Sequence, residues 1–95
     1  MGQAEPYVAL LAATGTNGPV SPNGSYAQEG LHNGAACYVR IGGGFWLWKT
    51  ATAEWRISVA LDEATNYWTL ATGGPTGTYT AHGAVMTGSV AVATI

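Results

Sequence analysis

Charge is what this sequence has least of. Only 8% of its 95 residues are Asp, Glu, Lys or Arg, whereas about 25% is usual in a soluble domain. A folded chain of this mass exposes roughly 5,100 Å² of surface, which amounts to about 640 Å² of surface for each charged side chain. That area exceeds the largest apolar patch of a typical monomer, which is about 300–600 Å². We therefore expect much of the surface to be covered by other subunits.

Positive charge is especially scarce, and this bears on nucleic acid as a partner. Arg40, Lys49 and Arg56 are the three basic residues, they form no run, and the net charge is −2. Binding of a phosphate backbone requires clustered Lys or Arg side chains. The sequence therefore argues against a nucleic-acid partner.

Cysteine is almost absent as well. Cys37 is the one cysteine in the chain, which excludes an intrachain disulfide. It lies in an apolar strand-like run, where a buried and unreactive thiol is the usual state. We expect that state here, and an intersubunit disulfide is the alternative.

Targeting and membrane signals are also missing from this sequence. The start, MGQAEPYVALL, has no basic leader and carries Glu5 and Pro6, so it does not have the pattern of a secretory signal. Pro6 also stands where a myristoylation motif requires Ser or Thr. No apolar run approaches the length that spans a bilayer. We expect a chain made in the cytoplasm, with no membrane partner.

Residues that could do chemistry are few and scattered. His32, Cys37 and His82 are the candidate metal ligands, but their spacing matches no ligand motif. Asp62 and Glu63 are adjacent and would point to opposite sides of a strand, so they do not make a carboxylate pair. The sequence predicts no cofactor and no enzymatic activity.

Strand signals and turn signals are what the sequence has in abundance. The stretch from Cys37 to Leu61 holds three of the four tryptophans and all the basic residues. Within it, Trp55, Ile57, Val59 and Leu61 alternate with smaller or polar residues, which predicts a strand with one buried face. The run Phe45–Trp48 does not alternate, so both of its faces should be covered.

Asn-Gly pairs mark two of the predicted turns. Asn23-Gly24 and Asn33-Gly34 stand before apolar runs, and these residue types adopt a positive φ at low cost. The second pair predicts a hairpin over residues 25–41. Together the patterns predict an all-β fold of about seven short antiparallel strands, either a small β-sandwich or a partly open barrel.

The chain is long enough for a single domain, residues 1–95. Residues 1–14 and 76–95 contain the apolar runs Tyr7–Thr14 and Val85–Ile95, and the second of these has no charge. An uncharged strand cannot remain an open edge in water and needs a neighbouring strand, in this subunit or another. We therefore expect these two segments as possible assembly contacts, attached by strand addition.

Aromatic side chains carry one further hypothesis. Trp46 and Trp48 are two positions apart and project from the same face of a strand, about 7 Å apart, where they could form a flat platform for a sugar ring. Tyr26 and Tyr67 are candidates to extend it. The alternative is that the two indoles pack in the core or at a subunit contact, which the apolar Phe45 and Leu47 on the opposite face favour.

Several of these residues together resemble a small module of structural proteins of tailed bacteriophages. The resemblance covers roughly residues 15–75 and departs from the family pattern at the Val, Ala and Thr-rich C-terminus. It implies turns at the Asn-Gly pairs, a core of aromatic side chains and no catalytic residue. It is carried by Asn23-Gly24-x-Tyr26, Gly30, Asn33-Gly34, Tyr38, Trp46 with Trp48, Trp55-x-Ile57 and Trp68.

Low charge predicts assembly with other subunits, and the resemblance implies a virion structural protein, most specifically a capsid decoration or cement protein that stabilises the shell through subunit contacts. The expected partners are the major capsid protein or a tail protein, and further copies of the chain, in a virion made in the host cytoplasm. The alternatives are a tail or fibre component and a carbohydrate-binding adhesion module that takes a glycan.

Overall fold

The computed structural model describes residues 9–95, where the chain forms eight β-strands. Each strand pairs antiparallel with the next, and the last pairs with the first, so the sheet closes into a barrel. The predicted all-β class is confirmed, but the sheet is a closed barrel of eight strands, not a sandwich or partly open barrel of about seven. The strands are β1 (Leu11–Thr14), β2 (Gly24–His32), β3 (Ala35–Arg40), β4 (Trp46–Lys49), β5 (Trp55–Ser58), β6 (Tyr67–Leu70), β7 (Gly77–His82) and β8 (Ser89–Thr94).

Strand β7 is the one that the sequence pattern did not predict. Its sequence, GTYTAH, has one large apolar side chain, Tyr79, among small and polar residues. Tyr79 is fully buried in the barrel, and its hydroxyl donates to the carbonyl of Pro75 at 2.6 Å. Backbone pairing with β6 and β8 holds the strand on both sides, and hydrophobic periodicity does not reveal such pairing.

The first and last strands of the described chain, β1 and β8, pair with each other within the subunit. Leu11 lies opposite Thr94, and Thr14 lies opposite Ala91. A closed sheet has no free edge for another strand. Strands β1, β7 and β8 are each paired on both sides within the subunit, so they offer no free edge for strand addition. The role of residues 1–14 and 76–95 as assembly contacts stays a prediction. Residues 1–8 lie outside the described part of the chain.

Alternate side chains of the strands fill the barrel. Leu47 lies opposite Ile57, and Ile57 lies opposite Trp68, so these three side chains share the inner face, as the pleat requires. Tyr26 is also inside, and its hydroxyl donates to the carbonyl of Pro22 at 2.6 Å. Burial raises the pKa of the Tyr26 hydroxyl, which keeps it protonated as a donor. The core comprises Leu11, Ala13, Tyr26, Phe45, Leu47, Trp55, Ile57, Trp68, Tyr79, Met86, Val90 and Val92.

The two Asn-Gly pairs have different roles. Asn33 and Gly34 form the tight turn between β2 and β3 with φ of 52° and 78°, as the sequence predicts. Asn23 and Gly24 do not form such a turn, because Gly24 begins β2. The side chain of Asn23 instead accepts a hydrogen bond from Asn17 at 3.0 Å within the β1–β2 loop.

Strand β5 is shorter than its alternating pattern suggests. It ends at Ser58, and Val59 is exposed in the connection to β6 instead of buried in line with Trp55 and Ile57. This connection, residues 59–66, is referred to below as the covering loop. Asp62 within it has a φ of 65°, a left-handed conformation that Asp adopts more readily than most residues. The reversal at Asp62 turns the loop back along the outside of the barrel.

Candidate functional site

Three outward side chains of β4, β5 and β6 form a second cluster on the outside of the barrel. This outer-wall cluster consists of Trp48, Arg56 and Tyr67. The guanidinium carbon of Arg56 lies 3.9 Å from the ring centroid of Tyr67 and 5.7 Å from that of Trp48. Although they point away from the core, Trp48 is only 2% exposed and Tyr67 only 6%.

Hydrogen bonds tie the covering loop to this cluster. Arg56 donates from Nη1 to the carbonyl of Glu63 at 3.0 Å. The indole N–H of Trp48 donates to Ser58 Oγ at 2.8 Å, and that hydroxyl donates to the carbonyl of Ala60 at 2.6 Å. Ser58 of β5 thus satisfies the indole N–H of Trp48, and the covering loop supplies carbonyl acceptors for Ser58 and Arg56.

The positive charge of Arg56 is balanced by the carboxylate of Glu54, which lies immediately before β5. Its Nη2 donates to Glu54 Oε1 at 3.2 Å, and the Thr69 hydroxyl donates to the other oxygen of Glu54. Burial raises the pKa of Glu54, but the bonds from Thr69 and Arg56 and the charges of Arg56 and His82 outweigh it. The result is a pKa below the ordinary glutamate value. Arg56 Nε is buried and has no hydrogen-bond partner among the residues that the structure describes.

The tip of the covering loop is fixed to the end of β2. His32 Nε2 and Asp62 Oδ1 lie 2.8 Å apart. The His32 ring also meets the Trp48 indole edge to face, with centroids 5.7 Å apart. This contact holds Asp62 over the outer wall while 69% of its side chain stays exposed.

An open pocket lies between Asp62 and the turns at the β2–β3 and β4–β5 ends of the barrel. This wall pocket has a volume of about 320 Å³. Its rim carries an amide, a carboxylate and two hydroxyl groups, and Trp48 and Arg56 contribute to its floor. The residues that line it are Asn33, Trp48, Thr50, Ala51, Thr52, Arg56 and Asp62.

A second surface feature is a line of apolar side chains across the outside of the barrel. Strand registry places Ala27 opposite Val39, and Val39 opposite Trp46. Leu10 lies immediately before β1, one residue ahead of the pair Leu11 and Tyr26, so it continues this line beside Ala27. The backbone N–H of Ile95 donates to the carbonyl of Leu10 at 3.1 Å, which places Ile95 at the end of the line. This apolar row consists of Ile95, Leu10, Ala27, Val39 and Trp46.

The structure separates the four aromatic residues predicted to stack on a sugar. Trp46 and Trp48 share the outer face, as predicted, but only Trp46 is partly exposed, because Trp48 is buried against His32, Arg56 and Ser58. Tyr26 is fully buried inside the barrel and Tyr67 lies beneath Arg56. These four rings therefore do not form the flat platform that was one of the two hypotheses for Trp46 and Trp48.

The residues predicted as core or turn lie as follows. Trp55, Ile57 and Trp68 are inside the barrel, and Tyr38 packs against them while partly exposed. Cys37 is buried on the outer face, where its thiol donates to the carbonyl of Glu29 at 3.0 Å. Burial, together with the nearby Glu29 charge, raises the pKa of this thiol, so it is protonated and unreactive at neutral pH.

Arg56 and Asp62 were not predicted as site residues. The one signal for Arg56 was its position between Trp55 and Ile57, which puts a long cationic side chain on the outer face beside Trp48. Asp62 was considered only together with Glu63, as adjacent acids that do not make a carboxylate pair, and nothing in the spacing of the sequence shows that Asp62 lies beside Trp48.

Residues 9–95 contain neither a cluster of metal-binding side chains nor a helix that could span a membrane. In this range no group of three or more His, Cys, Asp and Glu side chains is placed to hold a metal ion. Nor does the same range include a helix with the length and hydropathy needed to cross a bilayer.

Comparison of the chain with protein-family models, curated proteins and solved structures gave no match.

Proposed function

We propose that this protein is a virion structural subunit, a small decoration protein without catalytic activity that packs beside copies of itself on a shell. The observation that carries the assembly role is the apolar row. The assignment to a virion rests on the resemblance of residues 15–75 to structural proteins of tailed bacteriophages.

The apolar row has the character of a contact surface. Leu10 is 42% exposed and Ile95 is 70% exposed, and no member of the row is charged or polar. Val39 and Trp46 are partly exposed, whereas Ala27 between Leu10 and Val39 is only 2% exposed. Exposed apolar surface on a soluble protein marks interaction sites where it is extensive. Because the row carries no charge, it complements an identical row, and we assign a further copy of this chain as its occupant.

The extent of the row indicates how copies are arranged. The five residues of the apolar row span four spacings between neighbouring strands. Each spacing is about 4.8 Å, so the row is about 19 Å wide along the barrel wall. A single line of five side chains, of which only Leu10 and Ile95 are well exposed, offers less than the roughly 800 Å² that each partner buries in a standard interface. A single pair should therefore bind weakly.

Because the barrel wall is curved, the apolar row faces more than one direction. The row crosses β1, β2, β3 and β4 and reaches the residue after β8, so it wraps around half of the closed wall. One flat partner cannot cover a surface that turns through half a circle, whereas two neighbours can. Weak contacts on both sides become strong when many copies are held together on a shell.

The test compares the free chain with purified virions from the source of the sequence. Mass spectrometry should find the chain in the particles at a fixed ratio to the capsid protein. Hydroxyl-radical footprinting should then label Trp46 and Leu10 less in particles than in the dilute chain. Leu31, which is 72% exposed and outside the row, is the control and should be labelled equally in both.

Two outcomes would contradict the proposal. Absence of the chain from the particles would remove the virion role, and equal labelling of the row in both states would remove the apolar row as the contact. Separation of heads from tails before mass spectrometry distinguishes a decoration protein from a tail or fibre component.

A further inference from the structure

The wall pocket has no role in packing through the apolar row, and its chemistry indicates a ligand. The geometry points to a binding site for one neutral sugar residue, formed by Asn33, Thr50, Thr52 and Asp62. This site does not depend on the virion role, because its residues are not part of the row.

Charge in the wall pocket favours a neutral ligand. The Arg56 guanidinium is already bonded to the Glu54 carboxylate and the Glu63 carbonyl, so it does not offer a free charge to an anion. Asp62 is an exposed carboxylate at the rim and would repel a phosphate or a carboxylate. A multivalent cation lacks ligands, because this carboxylate is not joined by two further acidic, His or Cys side chains within residues 9–95.

Polar groups around the pocket suit hydroxyl groups. Asn33 donates from Nδ2 to the carbonyl of Lys49 at 2.9 Å, which fixes the amide and leaves its Oδ1 to accept. Asp62 uses Oδ1 toward His32, which leaves Oδ2 to accept. A sugar hydroxyl both donates and accepts, so neighbouring ring hydroxyls can donate to these two oxygens and accept from Thr50 or Thr52.

Size and shape limit the ligand to about one ring. The volume of about 320 Å³ is at the lower end of the roughly 300–1,000 Å³ range of small-molecule pockets. The exposed Ala51 gives the pocket apolar surface for the C–H groups of a pyranose, and Trp48, only 2% exposed, lies beneath it. The pocket is open, so the rest of a glycan can extend into solvent.

The site is held in place before any ligand arrives. Asp62 has a left-handed backbone, with a φ of 65°, and its carboxylate is fixed by His32. Thr50 and Thr52 are joined through their hydroxyls at 3.1 Å. Non-glycine residues in this conformation concentrate at binding sites, where the surrounding structure holds them. A preformed site loses less entropy on binding.

The experiment is a titration of the ¹⁵N-labelled chain followed by NMR. The probes are the methyl glycosides of glucose, galactose, mannose and N-acetylglucosamine, with inorganic phosphate and acetate as anionic probes. At least one glycoside should cause saturable shifts of the Asn33, Thr52 and Asp62 amide resonances, and the anions should not.

Variants then assign the contacts. Asp62→Asn keeps a residue that tolerates the left-handed conformation, and it should weaken binding about tenfold because a charged acceptor is lost. Thr52→Val should weaken binding about fivefold through loss of one hydroxyl. Thr72→Val, at an exposed threonine between β6 and β7, is the matched control and should bind as the unchanged chain does.

Four results would overturn the inference. The first is the absence of saturable shifts with all four glycosides, and the second is an anionic probe that binds at the same residues. The third is unchanged affinity in Asp62→Asn and Thr52→Val. Shifts centred on Trp46 would indicate stacking on the apolar row and would likewise exclude the wall pocket.

Discussion

Arg40 and Arg56 show that the few charged side chains of this protein are occupied within the fold. Arg40 donates from Nε to the carbonyl of Gly43 at 2.9 Å and from Nη1 to the carbonyl of Ser21 at 3.0 Å. It also lies 4.8 Å from the ring centroid of Phe45. Arg56 is bonded to the covering loop and to Glu54. Two of the three basic residues therefore hold loops to the barrel and add little free charge to the surface.

Glu54 gives these contacts a pH dependence. Its pKa is lowered in the folded chain because the bonds from Thr69 and Arg56 and nearby positive charge outweigh the effect of burial. The unfolded state therefore takes up the proton first as pH falls. We expect the free energy of unfolding to decrease as pH drops below about 4.3, the ordinary glutamate pKa, and to continue decreasing until pH passes the lowered pKa of the folded state.

Urea unfolding between neutral pH and pH 3, monitored by tryptophan fluorescence, measures this dependence. Glu54→Gln should be less stable than the unchanged chain at neutral pH and should lose less stability on acidification. Glu29→Gln is the control, because Glu29 is exposed. Equal acid sensitivity of Glu54→Gln and the unchanged chain would show that Glu54 is not held as described.

At the level of strands, closure of the barrel between β1 and β8 explains how so apolar a chain avoids an open edge. Ala13 lies opposite Val92, and Val92 lies opposite Gly77, so β8 is paired on both sides. Val90 and Val92 point into the core, and Ala91 and Ala93 point outward. The uncharged C-terminal strand is therefore protected by its own subunit, and only its side chains can face a neighbour.

Ala91 is the position at which closure can be tested, because it pairs with Thr14 on one side and Thr78 on the other. Ala91→Pro removes a backbone donor in a strand that has no free side, and we expect a loss of about 1–3 kcal/mol in the free energy of unfolding. Ala91→Thr keeps the donor, favours a strand and should be nearly neutral. Chemical denaturation measures both, and equal stability of the two variants would mean that β8 does not close the barrel.

Local patterns in the sequence predicted some of these elements and missed others for physical reasons. The hairpin at Asn33-Gly34 was predictable, since its turn chemistry and its flanking runs are all local. The strand at β7 was not, because backbone pairing to β6 and β8 holds it. The burial of Trp48 also depends on a loop that returns from another part of the chain, through the left-handed conformation of Asp62.

The same distinction applies to the candidate sites. The scarcity of charge is a property of composition, and the expectation of a covered surface follows from it directly. The apolar row is not visible in the sequence, because its members come from three strands and from the residues that flank two others, and only the strand register brings them into line. The wall pocket likewise needs Asn33 and Asp62 to meet across 29 positions of chain.

For the whole molecule, the outside of the barrel divides into two regions with different chemistry. The apolar row runs across β1, β2, β3 and β4, whereas the wall pocket lies beside the covering loop near the β2–β3 and β4–β5 turns. Packing of copies through the row leaves the pocket residues out of the contact. A subunit of this kind can be held in an assembly and still present a ligand site.

The central claim is that the apolar row brings copies of this chain together, and sedimentation equilibrium over a wide range of protein concentration tests it most directly. The chain should be monomeric when dilute, and its mean mass should rise with concentration. A variant with Leu10→Ser and Trp46→Ser should stay monomeric, whereas Val85→Ser, at an exposed valine outside the row, should associate as the unchanged chain does. A chain that stays monomeric at every concentration, or a row variant that associates as strongly as the control, would contradict the account.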